Sequence, residues 1–141
     1  MATLFTRIID GELPGRFVWS DELCVGLLTI APISTGHTLV VPRAEVDQWT
    51  DAEPSLLSHL TTVAQTIGVA AKHAFGAPRV GLIVAGFEVA HLHLHVLPAH
   101  GLADFDFGRA NADVDPAELD RAQHELRAAL RELGHDATVP S

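Results

Sequence analysis

Short apolar runs bounded by turn residues alternate along the chain with longer stretches in which apolar residues recur at helical spacing. The short runs cover residues 17–20, 23–30, 37–41, 80–84 and 92–97. Runs of this length, rich in Val, Leu and Ile, are typical of β-strands. We expect the first two to form a hairpin across Asp21-Glu22, and the third to end at Pro42, because proline cannot extend a central ladder.

Two stretches carry apolar residues every three or four positions, the spacing that lines one face of a helix. The first runs from about residue 51 to 75 and ends at Gly76. The candidates for its N-terminal cap are Thr50, Asp51 and Glu53. The second opens at Asp115-Pro116 and ends at Gly134, so the chain contains a long central helix and a C-terminal helix.

These elements predict an α+β fold with an antiparallel sheet of about five strands, because consecutive strands lie close together in the sequence. A length of 141 residues with 48% apolar content suits one folded domain. We expect that domain to span residues 1–141, with its core over about 3–100 and a C-terminal loop and helix over 101–141.

The net charge and the cysteine count limit the kinds of molecule that this protein is expected to bind and the compartment in which it is expected to act. A formal charge of −9 argues against a long nucleic acid, whose binding depends on many Lys and Arg contacts to phosphate. Small anionic ligands remain compatible, because local donors are sufficient to hold one phosphate. Cys24 is the only cysteine, so no intrachain disulfide forms, and we find no signal for secretion or for a membrane span. We therefore expect a cytoplasmic protein.

The segment His91-Leu92-His93-Leu94-His95-Val96-Leu97 carries three histidines at alternate positions. In a strand, alternate side chains share one face, so the three imidazoles would lie together while the apolar residues between them face the core. Two chemistries use such a row. Three neutral imidazoles can bind zinc and leave a position for water, or one imidazole can attack an electrophile while its neighbours orient it and move protons.

The same segment resembles the His-x-His-x-His-x-x signature of the histidine triad superfamily of nucleotide hydrolases and transferases. Two further segments are similar to the family's Hint-type branch: residues 4–14 resemble its opening segment, and residues 36–42 resemble its central strand. Order and spacing match over about residues 3–100. The resemblance implies the family's α+β fold, a homodimer and no cofactor. We call His91, His93 and His95 the triad.

The resemblance implies a role for each of four histidines. His93 would attack the α-phosphorus of a purine nucleoside phosphoramidate or a related nucleoside 5′-phosphate derivative, giving a covalent nucleotidyl-histidine that water or another acceptor opens. His95, as the protonated neighbour, would stabilise the phosphoryl oxygens and supply a proton to the leaving group. His91 would orient the nucleophile, and His37 would complete the cluster from the neighbouring strand.

The resemblance also places a nucleotide pocket beside these histidines. Its residues are Phe5, Ile8, Leu27, Thr29, Ile30, Glu88 and Val89. The apolar members suit a purine face and equally suit a core. Thr29 stands where relatives use an aspartate for the ribose, and Glu88 brings a carboxylate near the expected phosphate, so ribose and phosphate binding are predicted to be weakened or rearranged.

Some relatives carry a structural zinc site built from a Cys-x-x-Cys pair near the N-terminus and from later histidines. The corresponding residues here are Thr3, Thr6 and Glu45. A threonine hydroxyl is a poor zinc ligand beside a thiolate, so we predict no structural zinc.

Three hypotheses follow for the function. The first is metal-independent nucleotidyl transfer to His93. The second is a metallohydrolase in which the triad binds the metal. The third is a nucleotide-binding or interaction module with little catalysis, which the residues at positions 29 and 88 would favour.

Overall fold

The computed structural model describes all 141 residues, which form three helices and five strands. In chain order these are α1 (Leu4–Ile9), β1 (Phe17–Ser20), β2 (Cys24–Leu28), β3 (Thr38–Pro42), α2 (Pro54–Phe75), β4 (Arg79–Ile83), β5 (Leu94–Ala99) and α3 (Pro116–Glu132). The strands make one sheet in the order β1-β2-β3-β5-β4, and every neighbouring pair is antiparallel. The predicted α+β class and five-stranded antiparallel sheet are confirmed.

The two faces of the sheet are covered differently. On one face, α2 and α3 pack against the strands and enclose the main core. On the other face, Phe5 from α1 lies in a smaller apolar cluster with residues of β2 and β3, which we call the Phe5 cluster. Its members are Phe5, Val25, Leu27, Leu39 and Val41. The short N-terminal helix therefore covers the face of the sheet opposite the long helix.

Alternation along residues 91–97 divides the side chains between these faces as predicted. Leu92, Leu94 and Val96 are each 1% exposed and belong to the main core. Only His95 of the triad lies within β5, because the strand begins at Leu94. The residues before it leave the sheet, and the Leu92 amide donates to the Val46 carbonyl outside the ladder (2.7 Å). The prediction that one strand carries the whole triad is therefore wrong for His91 and His93.

Two prolines lie inside strands that were predicted to end before them. Pro42 is the last residue of β3, and Pro98 lies within β5. The pairing of β3 with β5 ends at Thr38 and Val96, so the missing N–H of Pro98 removes no bond to β3. Pro98 is accommodated for this reason, and Pro42 is accommodated because it is the last residue of β3. The predicted boundaries of both strands were too early.

The helix ends follow the expected local chemistry. Glu53 is the N-cap of α2 by position but makes no side-chain bond to the helix, and Gly76 closes this helix at a φ of 67°. Asp115 caps α3 by accepting from the Ala117 amide. Helix α1 was not predicted, because six residues are too few to show a helical period. None of the helices combines the length and the hydropathy that a membrane crossing requires.

Candidate functional site

The site forms where the start of β5 meets the turn before β3. His95 comes from β5, and His37 precedes β3 after the turn at Gly36, whose φ is 92°. The ring centroids of His93 and His95 are 5.0 Å apart, and those of His37 and His95 are 5.2 Å apart. The structure thus brings three of the four predicted histidines into one continuous cluster of rings.

One hydrogen bond fixes the tautomer of His93. Its Nδ1 lies 2.8 Å from the main-chain carbonyl oxygen of His91. A carbonyl accepts only, so Nδ1 of His93 carries the proton and donates. In the neutral ring Nε2 is then bare, and a bare nitrogen is the form that can attack phosphorus.

A chain of three hydrogen-bonding groups fixes the tautomers of His37 and His95. The Ile33 amide donates to Nδ1 of His37 (3.1 Å), so this nitrogen is bare. Nε2 of His37 therefore carries the proton and donates to Nδ1 of His95 (2.9 Å). The neutral His95 ring then holds its proton on Nε2.

Burial keeps both of these rings neutral in the free protein. His37 is only 2% exposed, and burial lowers its pKa to about 4. Burial, with the nearby charges of His37 and His93, lowers the pKa of His95 to about 3. We expected His95 to act as a protonated neighbour of His93, but in the free protein it is a neutral N–H donor.

Two imidazole nitrogens of the cluster are left without a protein partner. Nε2 of His93 and Nε2 of His95 make no hydrogen bond within the protein, whereas every fully buried side-chain nitrogen and oxygen has a partner. These two atoms are therefore open to solvent, although His93 as a whole is 94% buried. The site offers a bare nitrogen and an N–H donor on adjacent rings.

His91 lies apart from this pair and is fully buried. Its Nε2 donates to the Pro42 carbonyl (2.7 Å), and its Nδ1 lies 2.6 Å from the hydroxyl oxygen of Thr3. Both ring nitrogens are occupied, so His91 is not free to bind substrate or metal. Its main-chain carbonyl is the group that holds His93.

The residues at the positions of the relatives' zinc site contact one another and His91. The Thr6 hydroxyl donates to Oε1 of Glu45 (2.6 Å), and the Thr3 amide donates to the same oxygen (3.0 Å). Two hydroxyls and one carboxylate are a poor donor set for zinc, which is held in structural sites mainly by thiolates and imidazoles. The residues present do not fit that metal.

Part of the predicted nucleotide pocket lies in or against the Phe5 cluster. The Phe5 ring is tilted on His93 at 5.0 Å and meets His91 edge-on at 5.6 Å. Leu27 is a buried member of the cluster, and Ile8 and Val89 pack against it. Phe5 and Leu27 are mainly core residues, so the half-buried Ile8 and Val89 form the part of this wall that a ligand can reach.

The other three predicted pocket residues are arranged differently. Thr29 follows β2 and accepts from the Ala31 amide, and it lines a cavity of about 250 Å³ together with His37. Ile30 is 75% exposed. Glu88 is exposed and makes no ion pair. Ile30, the apolar residue among them, does not pack against the Phe5 cluster.

Phe107 is a contact of the site that the sequence did not assign. It belongs to the loop between β5 and α3, and its ring meets His95 edge-on at 4.8 Å. Phe105 of the same loop packs instead on Gly81 of β4. No local sequence pattern shows which side a loop residue faces, so the sequence alone does not distinguish these two aromatic residues.

A second group with metal-binding atoms lies between the hairpin of β1 and β2 and the helix α2. Asp21, Cys24 and His59 place one such atom each within 4.8 Å of the others. Burial alone would raise the pKa of the Asp21 carboxyl. Hydrogen bonds from four neighbours outweigh this effect and lower the pKa to about 2; the donors are Trp19, Leu23, His59 and Cys24. Burial and Asp21 raise the pKa of the Cys24 thiol to about 12, so the group is a satisfied hydrogen-bond network.

Comparison with known proteins identifies the family. Residues 10–102 match the sequence profile of the HIT domain. The chain belongs to the histidine triad family. A zinc-bound histidine triad family protein from Mycobacterium smegmatis is 30% identical and superposes with a TM-score of 0.81 over 94% of this chain and 96% of its own.

Two further relatives carry functional names. A hypothetical histidine triad nucleotide-binding protein from Sulfolobus tokodaii superposes with a TM-score of 0.82 at 27% identity, over 96% of this chain and 99% of its own. An adenylylsulfatase of Arabidopsis thaliana is 29% identical over 100 residues, which are 67% of this chain and 51% of that protein. The histidine triad fold of this chain is thus established by sequence and by structure.

Proposed function

We propose that this histidine triad protein is a metal-independent nucleotide hydrolase or nucleotidyl transferase acting on the α-phosphate of a purine nucleoside phosphoramidate or a related nucleoside 5′-phosphate derivative. The observation that carries the proposal is the pairing of a bare Nε2 on His93 with an N–H at Nε2 of His95 on rings 5.0 Å apart. A phosphoryl group needs an attacking nitrogen and a donor to its oxygens or leaving atom, and this pair supplies both.

The reaction is a double displacement. Nε2 of His93 attacks the α-phosphorus, the N–P bond forms, and the bond from phosphorus to the leaving group breaks. The arriving anionic phosphate favours the charged form of His95. The ring takes up a proton from solvent at Nδ1, and the bond from Nε2 of His37 to this nitrogen is given up. The imidazolium of His95 then gives its proton to the leaving atom and becomes neutral.

Water completes the cycle. Its oxygen attacks phosphorus, the N–P bond breaks, and its proton passes to the neutral His95 ring, while His93 leaves as a neutral imidazole. Throughout, Nδ1 of His93 keeps its proton and donates to the His91 carbonyl, and this bond stabilises the positive charge that develops on the ring. The proton positions of the free protein therefore suit the attack by His93, and His95 takes part in proton transfer once substrate has bound.

The relatives support a nucleotide substrate. One structural relative is named a nucleotide-binding protein, and one sequence relative is named an adenylylsulfatase. A metallohydrolase is less well supported, because both nitrogens of His91 are already engaged and only two imidazole nitrogens of the triad are free. A binding module without catalysis is the alternative that the exposed Glu88 and the neutral Thr29 favour.

The test is release of AMP from adenosine 5′-phosphoramidate by the purified protein in EDTA. His93→Ala removes the nucleophile, and His124→Ala is the matched control, because His124 is exposed on α3 and makes no side-chain hydrogen bond. We expect turnover in EDTA by the wild type and by His124→Ala, and none by His93→Ala. Nucleotide binding without turnover by the wild type would favour the binding module.

We also propose that the protein is a homodimer, as the family resemblance implies. Strand β4 is an edge strand, and beside it α2 forms a groove of about 830 Å³. Two apolar side chains of this groove, Leu82 and Val69, are more than half exposed. A second copy that pairs along β4 would cover the unpaired strand edge and these side chains together.

A further inference from the structure

A hydrogen-bonded cluster connects the N-terminus of the chain to the first histidine of the triad. The Thr3 hydroxyl lies 2.6 Å from Nδ1 of His91, a residue 88 positions away. Glu45 holds this end of the chain in place, because its Oε1 accepts from the Thr3 amide and from the Thr6 hydroxyl. The cluster leads from an exposed carboxylate to a fully buried imidazole.

The donors and acceptors of this cluster determine one proton arrangement for the neutral ring. Nε2 of His91 donates to the Pro42 carbonyl, so Nδ1 is bare and accepts from the Thr3 hydroxyl. The Thr3 oxygen in turn accepts from the Thr6 amide, which is its role as the N-cap of α1. The Thr6 hydroxyl is then directed to Glu45.

The position of His91 bears directly on the nucleophile. The His91 carbonyl is the acceptor for Nδ1 of His93, and this bond leaves Nε2 of His93 bare. His91 is held at three points: by Thr3 at Nδ1, by Pro42 at Nε2, and by the bond from the following amide to Val46. If any of these three hydrogen bonds is removed, we expect the His91 carbonyl, which orients His93, to be held less firmly.

We propose that Thr3, Thr6 and Glu45 form a positioning relay that fixes the ring and the carbonyl of His91 and thereby sets the tautomer of His93. The relay lies at the positions of the relatives' metal site. Here two hydroxyls and one carboxylate orient His91. Its catalytic consequence rests on the function proposed above, whereas its structural consequence does not.

The charge state of Glu45 is consistent with this arrangement. Hydrogen bonds from the Thr6 hydroxyl and the Thr3 amide lower the pKa of this carboxyl. Glu45 is thus an anion that accepts from both partners at neutral pH. An amide at this position can still accept through its oxygen, whereas alanine cannot.

The experiment compares matched variants of the full chain. Thr3→Val has nearly the shape of threonine without the hydroxyl, and Thr3→Ser restores the hydroxyl. Because Thr3 also caps α1, Glu45→Ala tests the relay with the cap intact, and Glu45→Gln is its control. We expect kcat to fall about tenfold in Thr3→Val with KM nearly unchanged, because the loss is one of orientation at the nucleophile. The fall in Glu45→Ala should be smaller, and Thr3→Ser and Glu45→Gln should stay close to the wild type.

A second measurement needs no turnover. In proton–nitrogen NMR spectra of the imidazole rings, the Nδ1 proton of His93 should give a slowly exchanging signal in the wild type, in Thr3→Ser and in Glu45→Gln. The signal should broaden or disappear in Thr3→Val. An unchanged His93 signal and an unchanged kcat in Thr3→Val would overturn the relay. A wild type without turnover would contradict the proposed function, while the NMR signal would still decide the relay.

Discussion

Acidification from pH 8 to pH 5 should destabilise the folded protein through His37 and His95. Burial lowers the pKa of His37 to about 4, and burial with neighbouring charges lowers that of His95 to about 3. The unfolded chain takes up these protons near the ordinary histidine pKa of about 6.5. The two neutral rings therefore contribute their full share of the folding stability above about pH 6.5, and this share is lost as the pH falls towards their pKa values in the folded protein.

The magnitude follows from the width of that interval. Each group that is protonated only in the unfolded state costs about 1.4 kcal/mol per pH unit. Over the 1.5 units from about pH 6.5 to pH 5, His37 alone accounts for about 2 kcal/mol, and His95 adds a contribution of the same sign. Asp21 does not contribute in this range, because its pKa is lowered to about 2 and its stabilisation is lost only below its ordinary value of 3.8.

Urea unfolding at pH 8, 7, 6 and 5, followed by the fluorescence of the two tryptophans, measures this loss. In His37→Gln the slope of the unfolding free energy against pH should fall by about 1.4 kcal/mol per unit between pH 6 and pH 5. His124→Gln serves as the control, because its exposed side chain makes no contact that a change of charge would break. Equal slopes in the wild type and His37→Gln would refute the reasoning.

Two other predictions concern the turn before His37 and the edge of the sheet. Gly36→Ala should cost more than about 2 kcal/mol in urea unfolding, because the φ of 92° strains any side chain and the new Cβ would meet the Phe75 ring. Gly76→Ala, at a φ of 67° with open space around it, should cost clearly less, and an equal cost would rule out the clash. Leu82→Glu should convert the proposed dimer to a monomer in size-exclusion chromatography with light scattering, whereas Leu102→Glu, at another exposed leucine, should not. A wild type that runs as a monomer would contradict the proposed dimer.

Local pattern was sufficient to predict the sheet and the partition of its faces. Alternation along residues 91–97 correctly predicted that Leu92, Leu94 and Val96 face the core. It did not predict where β5 begins, because the chain leaves β3 before β3 ends. Leu94 pairs with Val40, and the Leu92 amide donates instead to the Val46 carbonyl. The helix α1 was missed because six residues are too few to show a helical period. Its contacts with distant residues, such as the bond from the Thr6 hydroxyl to Glu45, have no local sequence signal.

The candidate site shows the same division. The spacing of the triad and the family resemblance named the four histidines, but the roles of the individual nitrogens depend on main-chain groups that no motif encodes. The Ile33 amide and the carbonyls of His91 and Pro42 decide which nitrogen of each ring is bare. The edge-on contact between Phe107 and His95 likewise depends on the path of a loop and has no sequence signal.

The central claim is that His93 forms a covalent bond to the α-phosphorus. The most direct measurement mixes the enzyme with adenosine 5′-phosphoramidate in EDTA, quenches in alkali because N–P bonds of phosphohistidine are labile in acid, and maps the adduct by peptide mass spectrometry. We predict one adenylyl group on His93 in the wild type and none in His93→Ala. Turnover with no adduct, or an adduct on another residue that persists in His93→Ala, would contradict the proposed mechanism.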